Sequence, residues 1–186
     1  MFTRLPRTAA ATALLLVFGA AASPAFAAGK AHDNQLDPVR DALAVYADFD
    51  GSARMADYPV GPVPKILSHE TCIIDPDGTG AMGEHYVELG NVADGAIHAL
   101  HPEALIYEPQ ADGSRVLVAV EYIVFQADWN ATHNQPPKLF GQSFEALDAA
   151  NPYGLPPFYA LHAWVWRANS NGLFADYNPA VTCPPM

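Results

Sequence analysis

Four hydrophobic stretches of the chain are rich in Val, Ile, Tyr, Phe or Trp, and each is bounded by Gly, Pro, Asn or Asp. This pattern is typical of β-strands with at least one buried face. Because only a short turn-forming connection from Pro109 to Gly113 separates the second stretch from the third, we expect these two to form a β-hairpin. The candidate strands cover residues 84–89, 104–108, 115–126 and 158–167.

A helical pattern precedes these strands. Asp37 can cap a helix, and Pro38 is tolerated at the first helical position. Val39, Leu43 and Tyr46 then recur at helical spacing and would share one face. A helix at the N-terminal end followed by several strands predicts an α+β fold with a mainly antiparallel, curled, barrel-like sheet.

The connection between the third and fourth candidate strands is unusually long. It covers residues 128–157 and contains five prolines, so we expect an extended loop rather than another regular element. Loops of this length inside a compact domain often carry functional residues.

Two polar residues interrupt the apolar faces of the candidate strands. Alternation along the third strand groups Glu121 with Leu117, Ala119, Ile123 and Phe125. A carboxylate in such a position costs on the order of several kcal/mol unless it is neutralised, hydrogen-bonded or bound to a cation. The same alternation on the fourth strand groups His162 with Ala160, Trp164 and Trp166.

A third polar residue, His85, lies at the start of the first candidate strand. If the strands are neighbours in the sheet, His85, Glu121 and His162 converge. Two histidines and one carboxylate are the usual ligands of a divalent metal ion that keeps open coordination positions. Glu108, on the second strand, is then the candidate for a fourth ligand or for a partner that orients the others. The pattern predicts a divalent metal site and assigns no reaction.

Two other interpretations fit the same residues. Strand histidines and glutamates also form hydrogen-bonded polar cores, in which Glu121 would pair with Arg115, with Arg167 or with a tyrosine hydroxyl. In the other alternative, the domain is a non-catalytic binding module. Its curled sheet would enclose a small apolar or carbohydrate ligand between Tyr122, Trp164 and Trp166.

Familiar catalytic motifs are lacking elsewhere in the chain. His98 and His101 have the spacing of metal ligands, but they lie in an apparent loop, and the Pro-Cys-x-x-Cys segment of zinc deaminases does not follow. The sequence contains neither a Gly-x-Ser-x-Gly elbow nor a phosphate-binding glycine loop. Serine-hydrolase and nucleotide-dependent chemistry therefore have no support.

Composition and charge narrow the class of protein. The 186 residues are 51% hydrophobic and 16% charged, which excludes an intrinsically disordered chain. The formal net charge is -11 and no cluster of Lys and Arg is present, so a nucleic acid is not an expected partner. The same charge disfavours contact with an anionic membrane surface. We expect a small molecule or a metal ion as the partner.

The N-terminal 27 residues have the pattern of a secretory signal peptide. Arg4 and Arg7 form a basic start, an apolar run extends to Ala22, and Ala25-Phe26-Ala27 is a typical cleavage site. The sequence therefore predicts that residues 1–27 are removed on export and that residues 28–186 form a single secreted or periplasmic α+β domain.

Two cysteines, Cys72 and Cys183, lie in the predicted exported domain. In an oxidising compartment a pair of cysteines predicts a disulfide, and two separate buried thiols are the alternative. A disulfide here would fix the C-terminal end of the chain to the body of the domain.

Five longer motifs lie along the chain: Met82-Gly83-x-His85-Tyr86, Pro102-Glu103-Ala104-Leu105-Ile106-Tyr107-Glu108, Val120-Glu121-Tyr122, Leu161-His162-Ala163-Trp164-Val165-Trp166 and Phe174-Ala175-x-x-Asn178-Pro179-x-Val181-x-Cys183. Together they resemble a family of small secreted microbial proteins of uncharacterised function. The likeness spans most of residues 37–183. It implies no activity or cofactor, but its motifs contain the residues that the strand pattern selects, namely His85, Glu108, Glu121 and His162.

Overall fold

In the computed structural model, residues 34–49, 57–65 and 71–184 are described. The predicted signal peptide, residues 1–27, lies outside these ranges. The described residues form an α+β fold around a mainly antiparallel, strongly curled half-barrel sheet, which confirms the predicted fold class.

The predicted N-terminal helix is present. It is α1 (Asp37–Leu43), with Pro38 in its first turn and with Val39 and Leu43 buried against the sheet. The two other α-helices of the described ranges are single-turn elements, α2 (Leu89–Ala93) and α3 (Gln126–Asn130). None of the described helices combines the length and the apolarity that crossing a membrane requires.

Eight strands occur in the described part of the chain. They are β1 (Cys72–Ile74), β2 (Ala81–Val87), β3 (Ala104–Pro109), β4 (Arg115–Phe125), β5 (Lys138–Leu139), β6 (Gln142–Ser143), β7 (Glu145–Leu147) and β8 (Phe158–Ala163). Six of them form one antiparallel sheet in the order β1-β2-β3-β4-β8-β7, and β5 pairs with β6 separately. The predicted hairpin is formed by β3 and β4.

The long connection between β4 and β8 is more ordered than the sequence predicts. It contains β5, β6 and β7, and β7 adds an edge strand to the main sheet by pairing with β8. Strands of two or three residues are too short to show an alternating pattern, which is why the sequence reads here as a loop.

A β-bulge changes which residues share a face of β4. Ile106 pairs with Ala119, but the next residue, Tyr107, pairs with Leu117, so β4 holds one extra residue at this point. Leu117 consequently packs in a different cluster from Ala119, and the predicted grouping of these two residues is wrong. From Ala119 to Phe125 the predicted alternation holds.

The two faces of the sheet bury different groups of residues. One face packs with α1 in the largest hydrophobic cluster, which includes Leu105, Tyr122 and Leu161. The other face carries two smaller clusters, one around Ile106 and Trp164 and one around Ile123, Phe158 and Ala160. Glu121 and His162 lie between these smaller clusters, on the same face.

The C-terminal segment is held against the sheet at several points. Cys72 and Cys183 form the predicted disulfide, across a sequence separation of 111 residues. Asn178 pairs with Ala81 through two backbone hydrogen bonds. The end of the described chain is therefore tied to β1 and β2 by covalent and polar contacts.

Candidate metal centre

The geometry of the site starts from the pairing of β4 with β8. Glu121 and His162 are direct cross-strand partners in this antiparallel pair. Side chains of directly opposed residues project from the same face and lie close together. The register therefore brings the carboxylate and the imidazole to one point without any contribution from loops.

His85 reaches the same point from β2, two strands away from β4. Neighbouring strands are about 4.8 Å apart, so side chains from β2 and β4 must meet above β3. The residue of β3 that pairs with Glu121 is Ala104, whose methyl group occupies little of this space. Because His85 itself pairs with Ile106, two residues further along β3, its imidazole reaches the Glu121 carboxylate on a diagonal across β3.

His85, Glu121 and His162 are called the His–Glu group below. One ligand atom from each side chain lies within 4.8 Å of the other two. His85 Nε2 is 3.3 Å from Glu121 Oε2. Ligands bound at 2.0–2.1 Å in a tetrahedral zinc site are about 3.4 Å apart, so this pair already has ligand spacing. Small side-chain rotations would bring the third atom to the same separation.

The His–Glu group is largely buried and poorly hydrogen-bonded. His85 and His162 are only 6% and 2% exposed. Of their four ring nitrogens, His85 Nδ1 and both nitrogens of His162 have no hydrogen-bond partner among the described residues. A buried polar group without a partner costs about 1–3 kcal/mol, so this arrangement is unfavourable as a purely structural network.

Burial and charge set the protonation states in the group. Burial lowers the pKa of His162 to about 3, and attraction to Glu121 only partly opposes this effect. For Glu121, burial favours the neutral acid, but the hydrogen bond and the charge of His85 prevail, and its pKa lies below the ordinary value. The neutral imidazole of His162 and the ionised carboxylate of Glu121 are the forms that bind metal ions.

Glu108 does not belong to the His–Glu group, and the expectation that it would be a ligand or an orienting partner requires correction. Its carboxylate accepts hydrogen bonds from Arg167 and from the backbone N–H and hydroxyl of Thr182. Glu108 lies four residues along β3 from Ala104, which is about 13 Å at the rise of an extended strand. The carboxylate therefore fixes the C-terminal segment instead.

The three aromatic residues proposed as ligand contacts are also placed elsewhere. Tyr122 is fully buried in the largest hydrophobic cluster, and its hydroxyl donates a hydrogen bond to the Ala99 carbonyl. Trp164 lies in a cluster on the other face, and its indole N–H donates to the Ala175 carbonyl. Trp166 packs against the largest cluster, on the Tyr122 side. The three side chains contribute to core packing and do not share a binding cavity.

An apolar cavity, called the apolar chamber below, opens beside the His–Glu group. His85 and Glu121 both line it, and its walls come from β1, β2, β4, β8, α2, the segment 57–65 and the loop before β8. Tyr153 and Leu155 of that loop take part, so the long connection contributes two residues to the chamber wall. The prolines predicted a loop here, but no pattern singled out Tyr153.

Glu103 is a buried carboxyl group that the sequence pattern missed. It follows two histidines in an apparent loop, yet it is 1% exposed and accepts a hydrogen bond from the backbone N–H of Ile123. Burial raises its pKa to about 8. His98 and His101, the neighbouring pair with ligand-like spacing, are exposed. The Glu103 carboxylate, directly before β3 begins, therefore accepts a hydrogen bond from a backbone N–H of β4. Glu103 is not part of the His–Glu group.

Comparisons with known proteins add no constraint to this geometry. No family model, no curated protein and no solved structure matches the chain. The resemblance to a family of small secreted proteins stays a prediction, and the function has to be argued from the site.

Proposed function

We propose that this protein binds one divalent transition-metal ion through His85, Glu121 and His162. The observation that carries the proposal is the convergence of three potential ligand atoms within 4.8 Å, while three of the four buried imidazole nitrogens have no partner among the described residues. A metal ion would satisfy the carboxylate and one nitrogen of each imidazole at once. The alternative of a polar core predicts the opposite, namely a network whose members are all hydrogen-bonded.

The donor atoms indicate the class of metal. Two imidazole nitrogens and one carboxylate oxygen suit zinc and the other first-row divalent ions. Calcium and magnesium prefer sites made of oxygen ligands alone, so they fit this set poorly. Three protein ligands leave at least one coordination position open, which is the arrangement of catalytic metal sites rather than structural ones.

We place this metal site in an exported domain. The Cys72–Cys183 disulfide supports an oxidising compartment, and the pattern of residues 1–27 supports secretion. In such a compartment the protein meets metal ions and small molecules from outside the cell. The acidic net charge of -11 favours the approach of cations.

Metal content of the purified protein tests the proposal. After dialysis against Zn²⁺ and then against metal-free buffer, we expect about one zinc ion per chain in the wild type. His162→Ala removes one ligand and should lose the bound zinc. His98→Ala, which removes an exposed imidazole, is the matched control and should keep it.

Two results would overturn the metal assignment. One is a wild-type protein that retains no zinc after dialysis. The other is zinc content that stays the same in His162→Ala while circular dichroism shows both proteins folded. Either result would leave the polar core as the interpretation of the His–Glu group.

A further inference from the structure

The apolar chamber has a composition that metal binding alone does not require. Its volume is about 190 Å³, and among the described residues that line it, His85, Glu121 and Tyr153 are the polar ones. The remaining walls are hydrophobic, with Val63, Ile123, Leu155 and Phe158 among them. A site that served only to hold a metal ion would need no apolar cavity next to two of its ligands.

The entrance to the chamber is marked by an exposed hydrophobic residue. Leu89, at the start of α2, lines the chamber and is 56% exposed. The chamber therefore connects the surface of the protein with two side chains of the His–Glu group.

The volume of the chamber limits the size of its ligand. A cavity of about 150 Å³ in another protein accommodates benzene, so about 190 Å³ holds one aromatic ring or a short aliphatic chain with a small head group. Sugars fit poorly, because their hydroxyl groups would find almost no hydrogen-bond partners in these walls.

Charge selects the head group. A divalent ion bound by two neutral imidazoles and one carboxylate carries one net positive charge in apolar surroundings. An uncompensated charge in such surroundings is unfavourable. A ligand with a single negative charge would neutralise the site when it occupies an open coordination position. A neutral ligand would leave the charge, and a dianion would reverse it.

Tyr153 supplies a hydrogen-bond donor for this head group. Its hydroxyl is directed at a weak acceptor among the described residues, Met82 Sδ at 4.0 Å. Thioether sulfur is a poor acceptor, so the hydroxyl remains available to an oxygen atom of a ligand. Tyr153 lines the same chamber as His85 and Glu121, and among the described lining residues it is the one that carries a hydroxyl group.

We propose that the chamber binds a small apolar monocarboxylate, of the size of benzoate or hexanoate, whose carboxylate coordinates the metal ion while its hydrocarbon part lies against the chamber walls. This inference rests on the proposed metal site. The hydrocarbon part provides most of the selectivity, because burying one phenyl ring strengthens binding about 30- to 150-fold.

Cobalt-loaded protein provides the direct test, because the visible spectrum of bound Co²⁺ responds to its ligands. Titration with benzoate should change this spectrum and saturate, and acetate should bind at least about 30-fold more weakly, because it offers the same head group without the ring. Tyr153→Phe should weaken benzoate binding about 5- to 10-fold and leave the uptake of Co²⁺ unchanged.

Filling the chamber separates this inference from the metal site. Leu155→Trp places a larger side chain in a partly exposed loop position of the wall, and Leu100→Trp is the matched control at an exposed leucine that does not line the chamber. The first variant should bind Co²⁺ but lose the preference for benzoate over acetate. The control should behave like the wild type. Val63→Phe is a second filling variant from another segment of the wall.

The outcomes distinguish two kinds of failure. Protein that takes up no Co²⁺ would refute the metal site itself. Protein that binds Co²⁺ but prefers benzoate no more than acetate would refute the ligand class and leave the metal site in place. The same holds if Leu155→Trp and Val63→Phe fold, bind Co²⁺ and keep the wild-type preference.

Discussion

Two carboxylates on neighbouring strands, Glu108 and Glu121, have opposite surroundings. Glu108 is held by Arg167 and by two donors of Thr182, and with the Cys72–Cys183 disulfide these residues form what we call the tail clasp. Glu121 faces two imidazoles, and three of their nitrogens have no partner among the described residues. Both carboxylates are mostly buried, with side chains 7% and 15% exposed.

The difference between the two regions separates structure from function. In the tail clasp every oxygen of the carboxylate has a donor, so the contact needs nothing further to be stable. In the His–Glu group His85 contacts Glu121, but three of the four imidazole nitrogens have no partner among the described residues, which is costly unless something binds there. A glutamate in an apolar strand is therefore informative only once its partners are known.

The largest expected effect concerns the tail clasp. Replacing both cysteines, Cys72→Ser with Cys183→Ser, should lower the free energy of unfolding by about 4–5 kcal/mol, because the disulfide closes a loop of more than a hundred residues in the unfolded chain. Guanidinium denaturation measures this loss. At low denaturant concentration the variant should still bind one zinc ion. Loss of zinc from the folded variant would contradict the proposal that the tail clasp and the His–Glu group are independent.

The next effect should appear in the His–Glu group. Glu121→Gln keeps the size of the side chain but removes the charged ligand, so zinc affinity should fall by more than about 100-fold. Competition with a chromophoric chelator measures the affinity. An affinity within a factor of about three of the wild type would mean that Glu121 is not a ligand.

Glu108→Gln is the partner experiment. The variant loses its ion pair with Arg167, whose side chain is 37% exposed, while the amide oxygen can still accept from Thr182. After allowance for solvent screening, we expect the free energy of unfolding to fall by about 1–2 kcal/mol. Zinc affinity should remain unchanged. A large loss of affinity in this variant would show that the two carboxylates act together.

A pH-dependent effect comes from Glu103, which is intermediate between the two cases because its carboxylate accepts a hydrogen bond from one backbone N–H, that of Ile123. Burial raises its pKa to about 8 from the ordinary 4.5, so the folded protein keeps a proton that the unfolded chain releases between these pH values. The contribution of Glu103 to the free energy of unfolding is fully present below pH 4.5 and is lost as the pH rises to about 8. The slope is up to about 1.4 kcal/mol per pH unit.

Glu103→Gln should remove this pH dependence, because the amide oxygen accepts from Ile123 and does not ionise in this range. The variant should match the wild type near pH 4.5 and exceed its stability at pH 8. Asp41→Asn, which alters an exposed carboxylate on α1, is the control and should leave the profile unchanged. A wild-type profile that Glu103→Gln leaves unaltered would contradict the buried, protonated state of Glu103.

The sequence predicted the part of the site that depends on strand alternation. Glu121 and His162 were out of place on apolar faces, and antiparallel pairing made them direct neighbours. His85 was predicted from its residue type and its place at the start of a candidate strand, and its contact with Glu121 crosses β3 on a diagonal that the sequence does not reveal. The predicted hairpin and N-terminal helix follow equally local signals, whereas the disulfide followed from the number of cysteines and the predicted oxidising compartment.

The remaining features depend on register and packing, which no local pattern contains. The bulge opposite Tyr107 changed the face of Leu117. Glu108 has the predicted strand position but lies too far along β3 to reach the His–Glu group. Tyr153 belongs to a proline-rich loop with no periodicity, so its place in the apolar chamber could be found only from the fold.

Crystals of the protein soaked in zinc and measured at the zinc absorption edge test the central claim most directly. The metal-site assignment predicts one anomalous peak between His85, Glu121 and His162, with ligand atoms about 2.0–2.2 Å from it. A strong peak at the exposed pair His98 and His101 alone, or no peak in crystals whose chelator-free soak was saturating, would contradict it.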